Sequence, residues 1–255
     1  MKTQRQQQIT LYLSEHGSAS MEELCEHFDV SMNTIRRDVA DIVREGHAEK
    51  VYGGVKSVRK VEGFLPYEQR SLIPSHAKEA ICARAASLVK DGDIIFIDSG
   101  TTTFHLIDAL GERNITVITN NIEVIVRALE VPNIHLIILP GEFHRKSHSI
   151  TGDASADFLS HYNTNIAFMA ATGVANGGVT NSIPLEYQIK RAAVAHTEKA
   201  VLMVTGNKFG ITSLLTYAQI TNFSRIITDQ RIPQDWRNQL QTLGIAHDIV
   251  NARVN

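Results

Sequence analysis

The sequence predicts an α/β protein with two parts: a small N-terminal winged helix-turn-helix unit and a larger domain built on a mostly parallel sheet. Two observations support this prediction. Before residue 60, apolar residues recur at helical spacing between short turns, and after residue 75, six short apolar runs alternate with helical stretches. Uninterrupted apolar runs are typical of strands covered by helices on both faces. A chain of 255 residues is long enough for both parts.

The first forty residues carry the pattern of a helix-turn-helix. A short amphipathic helix is predicted around residues 9–13. Ser20 and Glu23 have the spacing of a capping box, which predicts the start of a second helix. Only residues 29–30 separate that helix from Ser31, whose hydroxyl can cap a third helix. Two helices joined by so short a turn form a helix-turn-helix.

The third helix has one apolar stripe and one polar face. Its stripe is formed by Ile35, Val39, Ile42 and Val43, and Gly46 is predicted to end it. The polar residues near its N-terminal end lie off the stripe. That end of a recognition helix reaches base edges in the major groove. We therefore predict that this helix binds DNA; the alternative is an ordinary solvated face that binds no nucleic acid.

A wing is predicted after the third helix, from residues 47–51 and 55–58 with two glycines, 53–54, at its turn. Residues 31–60 hold seven basic against four acidic side chains, whereas residues 1–30 hold two basic against five acidic. Positive charge is thus concentrated where phosphate contacts would need it. The predicted DNA contacts are Ser31, Asn33, Thr34, Arg36, Arg37, Lys50 and Tyr52.

Composition limits the other classes of function. The net charge is −2, so nucleic-acid binding must be local. No apolar run has transmembrane length and the N-terminus lacks a signal-peptide core, so we expect a cytoplasmic protein without membrane contact. Cys25 and Cys82 are expected to be small buried apolar residues. His144 and His148 lie in a loop without a metal-ligand pattern, so no metal site or cofactor is expected.

The larger domain is predicted to follow a linker. Residues 58–74 have no sustained period and contain Gly63, Pro66 and Pro74. The predicted division is therefore 1–57 for the winged helix-turn-helix, 58–74 for the linker and 75–255 for the larger domain. A helix is predicted over 78–89, and buried parallel strands over 94–97, 115–118, 135–139, 166–169, 201–204 and 225–228.

The segments that follow these strands are rich in polar residues. In an open α/β sheet, ligands bind beyond the carboxyl ends of the strands. The hydroxyl-rich loop 98–103 precedes a predicted helix, 104–110, and therefore suits an anion. The residues predicted to bind a phosphorylated sugar are Asp98, Ser99, Gly100, Thr101, Thr102, Thr103, Asn120, Asn121, Arg145, Lys146 and Lys208. Alternatively, loop 98–103 only caps the helix, and Lys208 is an ordinary solvated lysine.

Several separate motifs resemble the DeoR family of bacterial transcriptional repressors. They are residues 31–38, 52–55, 66–67, 70, 91–93, 97–102, 119–120, 141–143 and 208–210. The resemblance covers nearly the whole chain. It implies a winged helix-turn-helix joined to a sugar-phosphate-sensing domain whose fold resembles ribose-5-phosphate isomerase and glucosamine-6-phosphate deaminase. One departure is the run 205–207, Thr-Gly-Asn, where the family commonly has Asp-Ser-Ser.

Two classes of function compete. The first is a repressor of a carbohydrate-utilisation operon that binds a double-stranded operator as a homo-oligomer and responds to a phosphorylated sugar. The second is a sugar-phosphate isomerase or deaminase with an appended helical domain. Such an enzyme needs a general base; Asp98 and Glu186 are available, but no carboxylate–histidine pair accompanies them. Glu186 and Lys190, four apart, either form an ordinary helical pair or border the site. We expect the regulator, with no catalytic residues.

Overall fold

The computed structural model describes residues 5, 6, 8–10, 12, 13, 18–44, 48–57 and 76–251. The chain divides between Phe64 and Leu65 into two compact units. The predicted linker lies outside the described residues, as does the predicted helix end at Gly46. The domain boundaries predicted from the sequence therefore stay predictions.

The N-terminal unit is a winged helix-turn-helix. Residues 5, 6, 8–10, 12 and 13 are helical, and the remaining elements are β1 (Ser18–Ser20), α1 (Met21–Phe28), α2 (Met32–Arg44), β2 (Ala48–Val51) and β3 (Gly54–Ser57). The strands form an antiparallel sheet in the order β1-β3-β2. The capping box is confirmed: the Glu23 amide donates to Ser20 Oγ at 3.0 Å, and the Ser20 amide donates to Glu23 Oε2 at 2.7 Å.

One carboxylate is buried in this unit, which the sequence pattern did not indicate. Asp38 lies on α2 among the inward-facing residues and is 1% exposed. The Arg5 guanidinium donates to it through Nε at 2.7 Å, and Gln6 Nε2 lies 3.4 Å from its other oxygen. Because a buried carboxylate needs a charged or hydrogen-bonding partner, Arg5 stabilises the packing of the first helix on the recognition helix.

The second unit is built on a seven-stranded parallel sheet with the order β15-β14-β12-β9-β4-β5-β6. Its strands are β4 (Ile94–Ile97), β5 (Ile115–Thr119), β6 (Ile134–Ile138), β9 (Thr164–Met169), β12 (Thr197–Met203), β14 (Arg225–Asp229) and β15 (Ala246–Val250). All six predicted strands are confirmed. The edge strand β15 was not predicted; its sequence, Ala-His-Asp-Ile-Val, carries too few apolar residues to resemble a buried strand.

Helices cover both faces of the sheet, and alternate side chains of each strand face opposite cores. The helices are α3 (His76–Ala86), α4 (Leu106–Ala109), α5 (Ile122–Ala128), α6 (Asp153–Ser160), α7 (Tyr187–Ala195) and α8 (Gln234–Thr242). Phe96 packs in the core under α6, α7 and α8, whereas its neighbours Ile95 and Ile97 pack in the core under α3, α4 and α5. No helix within the described ranges is long and apolar enough to cross a membrane.

Two smaller antiparallel structures accompany the seven-stranded sheet. A hairpin is formed by β7 (Glu142–His144) and β8 (Ser149–Thr151), and a three-stranded sheet by β10 (Gly173–Ala175), β11 (Gly178–Asn181) and β13 (Leu215–Gln219). His144 and His148 were expected in a loop, whereas His144 ends β7 and His148 lies in the turn before β8. These strands have three to five residues and mix polar with apolar side chains, so no long apolar run marks them. Both structures contribute residues to the site.

Gly206 is required by packing. An added Cβ would lie 2.1 Å from the Ile232 amide nitrogen and 2.3 Å from the Arg231 carbonyl carbon. Because backbone atoms cannot rotate away, we expect Gly206→Ala to lower the free energy of unfolding by about 1–3 kcal/mol or more. Urea denaturation would measure the change. Gly178→Ala is the control: an added Cβ there would lie 2.9 Å from a side-chain atom, Thr216 Cγ2, and not from backbone, so equal losses in the two variants would contradict this explanation.

Candidate functional site

The predicted DNA-binding residues lie on solvent-accessible parts of the N-terminal unit. Asn33, Arg36 and Arg37 are exposed on α2, on the side away from its buried stripe. Ser31 Oγ lies 2.9 Å from Thr34 Oγ1, and this pair stands at the N-terminal end of the helix.

The wing presents further candidates. Lys50 on β2 is exposed, and Tyr52, at the turn between β2 and β3, is fully exposed. Lys56 lies 3.6 Å from Glu49, so part of the wing's positive charge is balanced locally. The helix and the wing thus offer arginine, lysine and tyrosine donors of the kind that contact bases and phosphates. Their contact with DNA stays a prediction.

A polar cleft lies in the second unit, beyond the carboxyl ends of β4 and β9. It is partly open to solvent. Its polar side chains belong to Ser99, Ser147, Thr172, Asn181, Ser182, Glu186 and Lys190. They come from loop 98–103, the β7–β8 hairpin, the segments around β10 and β11, and the start of α7. The cleft stands at the edge of the sheet where the sequence predicted a ligand.

A buried cluster of charges forms the inner side of the cleft. Lys190 Nζ lies 2.5 Å from Asp98 Oδ2 and 4.0 Å from Glu186 Oε2. The Ala170 amide donates to Asp98 Oδ2 at 2.9 Å. Complete burial raises the pKa of Asp98, the neighbouring Lys190 ammonium lowers it, and the Glu186 carboxylate raises it again. One ammonium thus lies beside two carboxyl groups.

Glu186 is the acceptor for several side chains of the cleft. Ser99 Oγ and Ser149 Oγ each donate to its Oε1 at 2.9 Å, and Asn181 Nδ2 donates to its Oε2 at 3.2 Å. The carboxylate is therefore held by neutral donors from loop 98–103, the hairpin and β11. A carboxylate with this many fixed donors is poorly placed to act as a general base.

The hairpin is connected to Glu186 by a chain of hydrogen bonds. Ser149 Oγ lies 2.7 Å from Ser147 Oγ, which lies 2.7 Å from His144 Nδ1. Arg145 and Lys146 are exposed at the hairpin tip, directly before Ser147. Arg145 and Lys146 are not among the described residues that line the cleft, but they directly precede Ser147, which is one of them.

Loop 98–103 contributes less of its side-chain chemistry to the cleft than the sequence suggested. Only Ser99 and Gly100 line the cleft. The Thr103 hydroxyl donates to the carbonyls of Asp98 and Gly100, and Thr101 is buried. The predicted helix 104–110 is a 3-10 turn, Thr103–His105, followed by the single turn α4. So short a helix adds little dipole to an anion site.

The backbone of this loop still offers donors. The amides of Gly100, Thr101 and Thr102 donate to no acceptor among the described residues. Thr102 makes no side-chain cap, so its role is not the helix cap considered as an alternative. The Thr102 carbonyl accepts from Cys82 Sγ at 2.9 Å, and burial raises the pKa of that thiol. Cys82 is buried, as the sequence predicted, and its thiol supports the loop. Cys25 is only half-buried.

Two predicted asparagines hold backbone instead of facing the cleft. Asn121 Nδ2 donates to the Asp98 carbonyl at 3.3 Å, and its Oδ1 accepts from the Glu123 amide at 3.0 Å, which caps α5. Asn120 Nδ2 donates to the Ile150 carbonyl at 3.1 Å. Lys208 is half-buried in the 3-10 turn Gly206–Lys208 and is not among the described residues that line the cleft. Direct contact between these residues and an effector stays a prediction.

The sequence analysis missed several residues of the cleft. Glu186 and Lys190 were given two interpretations, an ordinary helical pair or residues that border the site, and both line the cleft; Ser147 was not singled out. Asn181 gave no signal, because it enters the site through a β-strand of four residues. Thr172 follows β9 and could have been found by extending the strand-end rule to that strand.

Replacing Lys190 would leave two buried carboxyl groups without their cation. We therefore expect Lys190→Met to lower the free energy of unfolding by about 3–5 kcal/mol. Asp98→Asn should cost clearly less, because it removes the excess negative charge and keeps an oxygen that accepts from Ala170. Urea denaturation of both variants measures the difference, and a costlier Asp98→Asn would contradict this description of the cluster.

The same cluster predicts a dependence of stability on pH. The pKa of Asp98 is raised above its ordinary value of 3.8, so the folded protein keeps this proton to higher pH than the unfolded chain. Its contribution to the free energy of unfolding is therefore greatest at low pH and is lost as pH rises from about 4 through the folded pKa. Asp98→Asn should remove this loss. Equal pH slopes in urea denaturation of the two proteins would count against it.

Comparison with known proteins identifies the family. The DeoR-like helix-turn-helix domain matches residues 5–61, and the DeoR C-terminal sensor domain matches residues 74–230. The chain is 39% identical over 238 residues to the HTH-type transcriptional regulator IolR of Bacillus subtilis (strain 168), covering 92% of this chain and 94% of that protein. It is 28% identical to the glycerol-3-phosphate regulon repressor of Escherichia coli (strain K12), covering 91% and 92%. It is 27% identical to the L-fucose operon activator of Haemophilus influenzae, covering 96% and 98%.

Solved structures show only a partial likeness. Ribose 5-phosphate isomerase A from Methanocaldococcus jannaschii has a TM-score of 0.37 at 22% identity, covering 52% of this chain and 53% of that one. A D-ribose-5-phosphate isomerase in complex with phospho-erythronic acid has a TM-score of 0.39 at 15% identity, covering 68% and 67%. These values carry no functional argument. The two domain matches and the full-length relatives do, and they show that this chain belongs to the DeoR family of DNA-binding transcriptional regulators.

Proposed function

We propose that the protein represses a carbohydrate-utilisation operon and that a phosphorylated sugar, bound in the cleft of the second unit, controls its binding to operator DNA. The observation that carries this proposal is the polar cleft at the carboxyl edge of the parallel sheet. The name of one relative, a glycerol-3-phosphate regulon repressor, pairs repression with a phosphorylated polyol. We propose that the protein acts in the cytoplasm, where bacterial DNA lies.

The exposed face of α2 would enter the major groove, with Arg36 and Arg37 reaching bases or phosphates. Lys50 and Tyr52 on the wing would contact the phosphate backbone of the DNA. Because operators recognised by helix-turn-helix proteins are commonly palindromic, we propose that the protein binds as a dimer or a higher homo-oligomer.

The phosphate of the effector would bind the amides of Gly100, Thr101 and Thr102. Backbone N–H groups in a loop make a concave site for an anion. Arg145 and Lys146, on the hairpin tip beside Ser147, would add positive charge from the solvent side. Lys208 lies in the 3-10 turn that follows β12 and would act on the effector without touching it directly. The buried predicted residues Asp98, Thr103, Asn120 and Asn121 would hold these loops in place.

Substitution of Arg36 tests the DNA-binding face. We expect Arg36→Ala to weaken binding by about 1–3 kcal/mol and to relax base preference at one position, if this guanidinium reads a base. Fluorescence anisotropy on a duplex selected by the wild-type protein from a random library would measure it. Arg37→Ala should also weaken binding. Arg44→Ala is the matched control, because Arg44 pairs with Asp41 in the last turn of the same helix. Wild-type affinity in a folded Arg36→Ala/Arg37→Ala protein would remove α2 from the interface.

Paired ligands test the phosphate. We expect calorimetric titration of the full chain to show tighter binding of a sugar phosphate than of the matched free sugar, because only the ester offers an anion to the loop amides. The pairs would include D-glucose, D-fructose and D-ribose with their terminal phosphate esters. Addition of the ester should then change the affinity for the selected duplex. Equal affinity for ester and free sugar would reject the phosphate assignment.

Thr101→Ala should leave DNA affinity unchanged and weaken the response to the ester, because it removes a hydroxyl from the segment whose amides would hold the phosphate. Gly100→Ala is less informative: its Cβ would lie 2.6 Å from the Ala170 Cβ, so a lost response would report packing as well as ligand approach. An unaltered response in Thr101→Ala would leave only the loop backbone as a candidate contact.

A further inference from the structure

We propose that the serine side of the cleft is an acceptor surface: Ser99 and Ser147 accept hydrogen bonds from effector hydroxyl groups, and the phosphate lies away from them. This inference rests on the proposed function and specifies it further. It names the effector class as a phosphate ester with free hydroxyl groups at the end that faces Glu186. It also assigns Glu186 as the residue that sets this selectivity without touching the ligand's phosphate.

The direction of every hydrogen bond in this network follows from Glu186. A carboxylate can only accept, and a serine hydroxyl has a single hydrogen to donate. Ser99 and Ser149 each donate that hydrogen to Oε1, at 2.9 Å in both cases. Ser149 must then accept in its 2.7 Å contact with Ser147, so Ser147 is the donor there.

The same reasoning extends to the hairpin. Because Ser147 has given its hydrogen to Ser149, it must accept in its 2.7 Å contact with His144 Nδ1. That ring nitrogen therefore carries a hydrogen. The chain runs in one direction, from His144 through Ser147 and Ser149 to Glu186. Ser99 joins it from the other side.

Ser99 and Ser147 thus have oxygen lone pairs to offer a ligand and no hydroxyl hydrogen. Ser99 and Ser147 line the cleft, whereas Ser149 lies behind them. Both N–H groups of Asn181 are also occupied, by Glu186 Oε2 at 3.2 Å and by the Ile183 carbonyl at 3.0 Å. A phosphate, which needs donors, gains nothing from this surface, but a sugar hydroxyl can donate to it.

Lys190 does not make the serine side of the cleft a binding site for phosphate. Its ammonium lines the cleft, but it lies 2.5 Å from Asp98 and 4.0 Å from Glu186, so two carboxyl groups already balance it. A phosphate placed there would face two carboxyl groups and one ammonium. The amides of Gly100, Thr101 and Thr102 carry no such countercharge. The effector is therefore oriented with its phosphate on these amides and its hydroxyl groups toward the serines.

The ligand-free protein tests the hydrogen-bond direction. In ¹⁵N NMR of the histidine side chains of the full chain, at a pH where His144 is neutral, we expect the tautomer with hydrogen on Nδ1. The His144→Gln variant assigns its signal. Predominance of the Nε2–H tautomer would overturn the proposal, because Ser147 would then have to donate to His144 and the chain could not run to Glu186.

Calorimetry tests the selectivity. The tightest-binding ester of the proposed-function panel is compared with its complete set of monodeoxy analogues, on the wild type and on Ser99→Ala and Ser147→Ala. We expect removal of at least one hydroxyl to weaken binding about 10-fold in the wild type, and this loss to shrink in the serine variant that contacts it. Wild-type affinity of every analogue, or losses unchanged in both serine variants, would overturn the proposal.

Different outcomes would reject the proposed function and the acceptor surface. If no phosphate ester binds the wild type, the proposed function fails, and the acceptor surface is judged by the tautomer of His144 alone. If an ester binds and controls DNA affinity while its deoxy analogues bind equally well, the proposed function stands and the acceptor surface does not.

Discussion

The interaction on which the site depends is the buried contact between Lys190 and the carboxyl groups of Asp98 and Glu186. Asp98 is the first residue after β4, and the other two belong to the turn and helix that follow β11. A charge removed from water must be compensated by partners of fixed geometry. The contact therefore ties β4, an inner strand of the sheet, to α7. The serines that donate to Glu186 extend the tie to loop 98–103 and to the hairpin.

This cluster also distinguishes sensing from catalysis. An isomerase needs a carboxylate that exchanges protons with its substrate. Glu186 accepts from two serines and an asparagine, and Asp98 accepts from the Lys190 ammonium and a backbone amide. Both groups are committed to holding the cleft together. A ligand in the cleft would meet hydroxyl oxygens, backbone amides and the Lys190 ammonium, which suit recognition by hydrogen bonds. The relatives with transcriptional names agree with this division of roles.

The sequence predicted the fold better than the site, for physical reasons. Runs such as 94–97 and 225–228 are apolar because both faces of a parallel strand are covered, so burial alone marks them. The helix caps at Ser20 and Ser31 involve residues that are close in sequence, so the sequence alone predicts them. The cleft depends on contacts between distant segments: Ser99 meets Glu186 87 residues later, and Lys190 meets Asp98 across 92 residues. No local pattern encodes those distances. For the same reason the sequence did not indicate that Asp98 is a buried partner of Lys190.

The orientation of the bound effector decides whether the serines bind its hydroxyl groups and the loop amides bind its phosphate. A crystal structure of the full chain with its tightest-binding sugar phosphate would locate both ends of the ligand. The account predicts ligand hydroxyl oxygens at roughly 2.5–3.0 Å from Ser99 Oγ or Ser147 Oγ, with the phosphate on the amides of Gly100 to Thr102. It also predicts that Lys190 keeps its contact with Asp98. A phosphate bound by Lys190 and the serine hydroxyls, with Asp98 displaced, would contradict it.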